Sequence, residues 1–163
     1  MTTTVRAAGG GQYWAGNITA TTNTNDYAGW SLVVVYENSA LPLRNLTVFD
    51  GYGIVQNTVA DRRVDINLSG FLTPPFGAVT AEIGVVAYEG DGGNTGDQLL
   101  LNNVALSNAQ NPANDFFNAS IATAGVSDGG RNPGYQNQLG FDADEVDASG
   151  RLDLDALASV VTD

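Results

Sequence analysis

Apolar side chains along this chain recur two residues apart or in short unbroken runs, with Gly, Pro and Asn clusters between them. That is the pattern of short β-strands joined by turns. The run Trp30-Ser31-Leu32-Val33-Val34-Val35-Tyr36 is rich in β-branched and aromatic residues and predicts a buried central strand. Asn45-Leu46-Thr47-Val48-Phe49 and Arg63-Val64-Asp65-Ile66-Asn67-Leu68 alternate polar with apolar, as half-buried strands do. A longer strand is predicted over residues 79–88, with Gly84 marking a bulge. Residues 12–19, 99–101 and 116–121 are further strand candidates. Turns are expected at Gly9-Gly10-Gly11, Asp50-Gly51-Tyr52-Gly53, Thr73-Pro74-Pro75, residues 90–96, Asp128-Gly129-Gly130 and Asn132-Pro133-Gly134. Many short strands in this arrangement predict an all-β domain of jelly-roll or β-sandwich type. Its length of 163 residues suits one domain over residues 1–163. One helix is expected, over 152–161, where Leu152, Leu154, Leu157, Val160 and Val161 fit a helical face; Leu152-Asp153-Leu154-Asp155 also alternates like a strand.

Composition narrows the chemistry. Eighteen acidic residues stand against six basic ones, for a formal net charge of -12, and His and Cys are absent. All six basic residues are arginine, so lysine is absent too. This removes the Ser-His-Asp triad, imidazole and thiolate metal sites, thiol nucleophiles, disulfides, Schiff bases and the P-loop lysine. It also removes the Lys-Asn isopeptide and the Cys thioester as internal crosslinks. Charged residues make up 15% of the chain, against roughly 25% in an average domain. Such a polar but weakly charged surface suits a secreted or cell-surface β protein. The acidity disfavours nucleic acid and anionic lipid as partners and is compatible with divalent cations. No apolar run approaches the roughly 18 residues of a membrane span, so no membrane insertion is expected. Residues 1–6 carry no signal-peptide stretch, although an exported precursor would have lost its own.

Two acidic segments are candidates for calcium. In Glu89-Gly90-Asp91-Gly92-Gly93-Asn94-Thr95-Gly96-Asp97, the side chains of Glu89, Asp91, Asn94 and Asp97 offer the oxygens calcium takes, on a backbone freed by glycines. The same residues also suit a solvated hairpin loop. In Asp142-Ala143-Asp144-Glu145-Val146-Asp147-Ala148-Ser149-Gly150, the candidates are Asp142, Asp144 and Asp147. This is not an EF-hand: Val146 stands where a third oxygen ligand belongs and Asp147 where the loop needs Gly. The alternative is an acidic turn leading into the C-terminal helix. Carboxylate pairs can hydrolyse glycosides, but none of the four glutamates, Glu37, Glu82, Glu89 and Glu145, sits in a catalytic motif, and no enzyme is expected. Asn17, Asn45, Asn67 and Asn118 head N-glycosylation sequons. The aromatics, among them Trp14, Trp30, Tyr36, Phe49, Tyr88, Phe116 and Phe117, fall mostly on strand patterns and read as core.

Four ordered blocks carry a resemblance. The first is residues 27–37 (from Tyr27-Ala28-Gly29-Trp30 to Tyr36-Glu37) with residues 41–51 (from Leu41-Pro42-Leu43 to Phe49-Asp50-Gly51). The second is Gly84-Val85-Val86-Ala87-Tyr88-Glu89-Gly90-Asp91 with Gly96-Asp97. The third is Asn111-Pro112-Ala113-Asn114-Asp115-Phe116-Phe117-Asn118, and the fourth runs from Arg131-Asn132-Pro133 through Gln138-Leu139-Gly140-Phe141-Asp142-Ala143-Asp144. Together they resemble a domain of unknown function found in large secreted and cell-surface proteins of actinobacteria and archaea, often beside immunoglobulin-like repeat domains. The likeness covers about residues 10–150. It transfers no catalytic residue. It implies an extracellular, β-rich structural module of a stalk, adhesin or filament, with self-association or neighbouring domains as partners. Family members carry strand sequence before the first block and a β-rich stretch after the last, which this chain departs from. The departure suggests a cut domain or a strand donated from elsewhere, as in donor-strand assembly. The runner-up is a module binding a carbohydrate or a host surface.

Overall fold

The computed structural model describes residues 2–21, 23, 29–58, 60, 62–73, 75–88, 90–132, 134, 137, 140–152 and 157–161. The chain divides into two compact units, Met1–Val33 and Val34–Asp163, where one domain was expected. The first holds a short helix, α1 (Thr2–Ala8). Its C-terminal end is closed by the Gly9 amide donating to the Val5 carbonyl, with Gly9 in the left-handed conformation that glycine adopts without strain.

The second unit is an all-β sandwich. Its strands are β1 (Arg63–Asn67), β2 (Glu82–Tyr88), β3 (Gln98–Leu101), β4 (Val104–Ala105), β5 (Ile121–Thr123), β6 (Val126–Ser127), β7 (Phe141–Asp147) and β8 (Leu157–Val161). They form two four-stranded sheets, ordered β1-β8-β3-β4 and β2-β7-β5-β6. All pairings are antiparallel except β5 with β7. Two tight hairpins recur. Asn102 and Asn103 join β3 to β4, and Ala124 and Gly125 join β5 to β6, all four with positive φ. Two consecutive positive-φ residues match the right-handed twist of the flanking strands.

The core lies between the sheets. Leu99 and Leu101 come from one sheet and Val146 from the other, with Leu106, Phe116, Phe117 and Ala148 between them. The Phe116 and Phe117 rings meet edge to face at 5.1 Å. Ile83, Val85 and Ala87 of β2 and Val160 of β8 pack on its margin. Every buried residue among those described falls between 96 and 148.

The strands predicted over 63–68, 79–88 and 99–101 are present as β1, β2 and β3. Those predicted over 12–19, 30–36 and 45–49 are not: these residues are irregular and largely exposed. β-propensity yields a strand only where a partner supplies the ladder. The expected C-terminal helix is corrected as well. Residues 157–161 form β8, pairing with β1 and β3 at once, while residues 153–156 lie outside the described set. A central strand satisfies its backbone through two neighbours, and this outweighs a loose helical periodicity. The region read as a calcium loop after Asp142 is also a strand, β7.

Candidate functional site

Two features of the sandwich can carry function: a cluster of buried carboxylates and an open sheet edge.

The cluster is built on β7. Side chains alternate faces along a strand, so Asp142, Asp144 and Val146 point inward while Glu145 and Asp147 are exposed. Asp142 is 0% exposed, Asp144 2% and the neighbouring Asn111 0%. Ser120 sits between them. Its amide donates to Asp142 Oδ1 (3.1 Å), its hydroxyl donates to Asp144 Oδ1 (3.2 Å), and the Asn111 amide nitrogen donates to its hydroxyl oxygen (3.2 Å). Asn111 also donates to the Phe116 carbonyl at 3.0 Å. Asp142 Oδ2, Asp144 Oδ2 and Asn111 Oδ1 are buried and accept no hydrogen bond. Burial pushes the Asp142 carboxyl up to about 7; the bond from Ser120 opposes this, and the charges of Asp144 and Asp97 add to it. Burial likewise lifts Asp144 to about 6, against the hydrogen bonds from Ser120 and Asn111.

The loop preceding β3 closes over this cluster. Asp97 Oδ1 accepts from the Phe117 amide at 2.7 Å. Burial raises the pKa of Asp97, the Phe117 bond opposes the rise, and the Asp115 charge adds to it. Asp115 Oδ2 accepts from the Gly93 amide at 3.0 Å, leaving its buried Oδ1 unpartnered. Asp91 and Asn94 are exposed and shape a turn in which the Asn94 amide donates to the Asp91 carbonyl (3.1 Å). At Gly90 a side chain has no room, because a Cβ there would collide with the Phe117 carbonyl oxygen and Asp142 Oδ2. Glu89 lies outside the described residues.

Of the residues read from sequence as calcium ligands, Asp142 lies near Asp144 and, separately, near Asp97. Asp91 and Asn94 stay on the loop surface. Asp147 faces the other side of β7, where its Oδ1 accepts from the Ser149 amide and this partner lowers its pKa. Among the described residues no three acidic side chains converge as a metal-holding group. Asn111 and Ser120 escaped the sequence reading. The available signal was the period-two match of Asp142 and Asp144 with Val146: if Val146 is in the core, so are they. Sealed carboxylates adjacent on one strand also differ from two acids facing across a cleft, which glycoside hydrolysis needs.

The edge is β2. The Ala148 amide donates to the Ala81 carbonyl, so by alternation Ile83, Val85 and Ala87 use their backbone groups on β7. Glu82, Gly84, Val86 and Tyr88 direct theirs the other way. Among the described residues no strand pairs with that side. Of the sequon asparagines, Asn17, Asn45 and Asn67 are exposed, whereas the Asn118 amide is engaged, donating to the carbonyls of Gln110 and Asp115.

Compared with protein-family models, curated proteins and solved structures, the chain matches none. Among the described residues no helix is long and apolar enough to cross a membrane.

Proposed function

We infer that the chain is a non-catalytic structural module of an extracellular surface protein or filament, joined to its neighbours by strand pairing. One observation carries this reading: among the described residues the chain holds both a strand edge with no partner and an apolar, strand-prone segment that lies in no strand. The edge is the seven-residue β2. The strand-prone segment is 34–49, in which Val34, Val35, Tyr36, Leu41, Leu43, Leu46, Val48 and Phe49 are exposed and no residue is in a strand. An unpaired edge is a template for an incoming strand. Donor and acceptor are different segments of the chain, so pairing between copies is head-to-tail, which builds open filaments wherever the rotation does not close into a ring. The extracellular setting rests on the family resemblance and the weakly charged, acidic composition.

Light scattering coupled to size-exclusion chromatography tests the reading. Val86→Pro removes an outward-facing N–H and leaves the β7 ladder untouched, as proline on an edge strand does. Val35→Asp with Val48→Asp spoils the donor segment. The unaltered chain is expected to form large species with increasing concentration, and each variant to run as a 16.9 kDa monomer. A mixture of the two variants should stop at dimers. An unaltered chain that stays monomeric at every concentration overturns the proposal.

A second reading, a carbohydrate- or host-surface-binding module, has one observation in its favour. Tyr13, Trp14 and Trp30 line a single cleft in the first unit with Val5 and Leu32, and Trp14 is 88% exposed. Tryptophan fluorescence titrated with oligosaccharides, with Trp14→Ala as control, tests it.

A further inference from the structure

A polar cleft of about 290 Å³ opens in the sandwich unit between Gly92 of the β2–β3 loop, the 110–120 loop and Asn137. Two carboxamides line it, those of half-buried Gln110 and exposed Asn137, and neither has a hydrogen-bond partner among the described residues. Asn118 forms part of the wall and is held rigidly. Its amide nitrogen donates to the Gln110 carbonyl at 2.7 Å and to the Asp115 carbonyl at 3.1 Å. Asp115 in turn holds the opposite wall, accepting from the Gly93 amide at 3.0 Å. Gly92 keeps the mouth open: a Cβ there would stand 3.2 Å from the Asn118 carbonyl oxygen and 4.0 Å from Asn137 Oδ1. The cleft is also where backbone strain collects. Ala119 and Asn137 both line it with positive φ, 57° and 54°, a conformation that an alanine adopts only at a cost. Such strain persists where the surrounding structure fixes it, commonly at ligand sites.

We propose that this cleft binds a single neutral sugar ring. A carboxamide offers two donors and an acceptor, which matches a hydroxyl, itself both donor and acceptor. Anions are disfavoured, because Asp115 lines the cleft, no lining residue is cationic and the chain carries a net charge of -12. Apolar ligands and peptide side chains are disfavoured too, since Ala119 is the one apolar side chain in the lining. The volume sits at the lower end of the roughly 300–1,000 Å³ of small-molecule sites, which suits one ring rather than a long chain. Gln110 and Asn137 supply the hydrogen bonds, and Asp115 is a positioning residue that fixes the Gly93 side of the cleft. Because the walls are tied down before the ligand arrives, little ordering cost is left for binding. The site is separate from the aromatic cleft of the first unit and rests on neither reading above.

Isothermal titration of the full chain with four probes tests it: the methyl glycosides of glucose, mannose, galactose and N-acetylglucosamine, with inorganic phosphate as the charged control. At least one sugar is expected to give saturable heat, with a Kd of about 1 mM, and phosphate none. Gln110→Ala and Asn137→Ala each remove a side chain that bonds to nothing else described. Both variants should therefore keep the Tm of the unaltered chain while binding roughly fivefold to tenfold more weakly, as the loss of one hydrogen bond predicts. Trp14→Ala should bind as the unaltered chain does. Absence of heat with all four sugars overturns the site, as does binding that the Gln110→Ala, Asn137→Ala double variant leaves unchanged. Binding lost in Trp14→Ala instead would place the sugar in the first unit and overturn it equally.

Discussion

Residues 34–58 and residues 96–148 belong to the same unit and are made differently. The first segment is the more obviously strand-forming in sequence, yet none of its residues is buried, and Val35 is 61% exposed. The second is interrupted by Asn, Gly, Pro and Asp, yet it holds the entire buried core among the described residues. Its irregular stretch, 106–120, is ordered by polar side chains acting on the backbone. Asn108 accepts from the amides of Gln110 and Asn111, and Asn118 donates to two carbonyls. These bonds satisfy main-chain groups that would otherwise be costly to bury, and so let Phe116 and Phe117 enter the core. Hydrophobicity makes burial favourable; satisfied backbone makes it attainable.

The contrast can be broken most directly by truncation. Phe116→Ala is expected to destabilise the chain by about 3–5 kcal/mol, through lost packing and a residual cavity. Leu43→Ala, in the exposed segment, should change stability by less than about 0.5 kcal/mol. Denaturant unfolding of both variants measures the difference, and equal losses would mean the two segments share one core.

The next largest effect is the pH dependence of the cluster. Asp142 and Asp144 have folded-state pKa values raised to about 7 and about 6, above the unfolded value near 3.8. Between these limits the folded chain binds more protons than the unfolded one, so stability falls as pH rises from about 4 to about 7. Unfolding followed in EDTA across that range should show the fall, and Asp142→Asn should flatten most of it. The smallest expected effect is at the surface. The Arg63–Asp65 pair at 2.6 Å is exposed, so Arg63→Ala should cost about 0–1 kcal/mol and lose even that in high salt.

The fold class and three of the eight strands were legible. β1, β2 and β3 follow period-two alternation or compact apolar runs, whereas the hairpin turns at Asn102-Asn103 and Ala124-Gly125 were not among those expected. β8 was misread because Leu152 to Val161 fits a helical face tolerably, and only pairing on both sides decides for the strand. The carboxylates of Asp97, Asp142 and Asp144 were picked out, but as surface loop ligands. Grouping Asp147 with them was natural by spacing and wrong by parity, since odd and even positions of β7 face opposite ways.

The amino-acid sequence by itself determined the class: an acidic all-β chain without histidine, cysteine or lysine, and therefore without the chemistry those side chains supply. Residue type and period act locally, so they can be read from one chain without its fold. Which apolar runs are covered, which edge stays open and which carboxylates meet around Ser120 were decided by tertiary structure alone. Those outcomes depend on pairings such as Arg63 with Val161 and contacts such as Ser120 with Asp144. Residues far apart along the chain settle them together, and no local pattern records that choice.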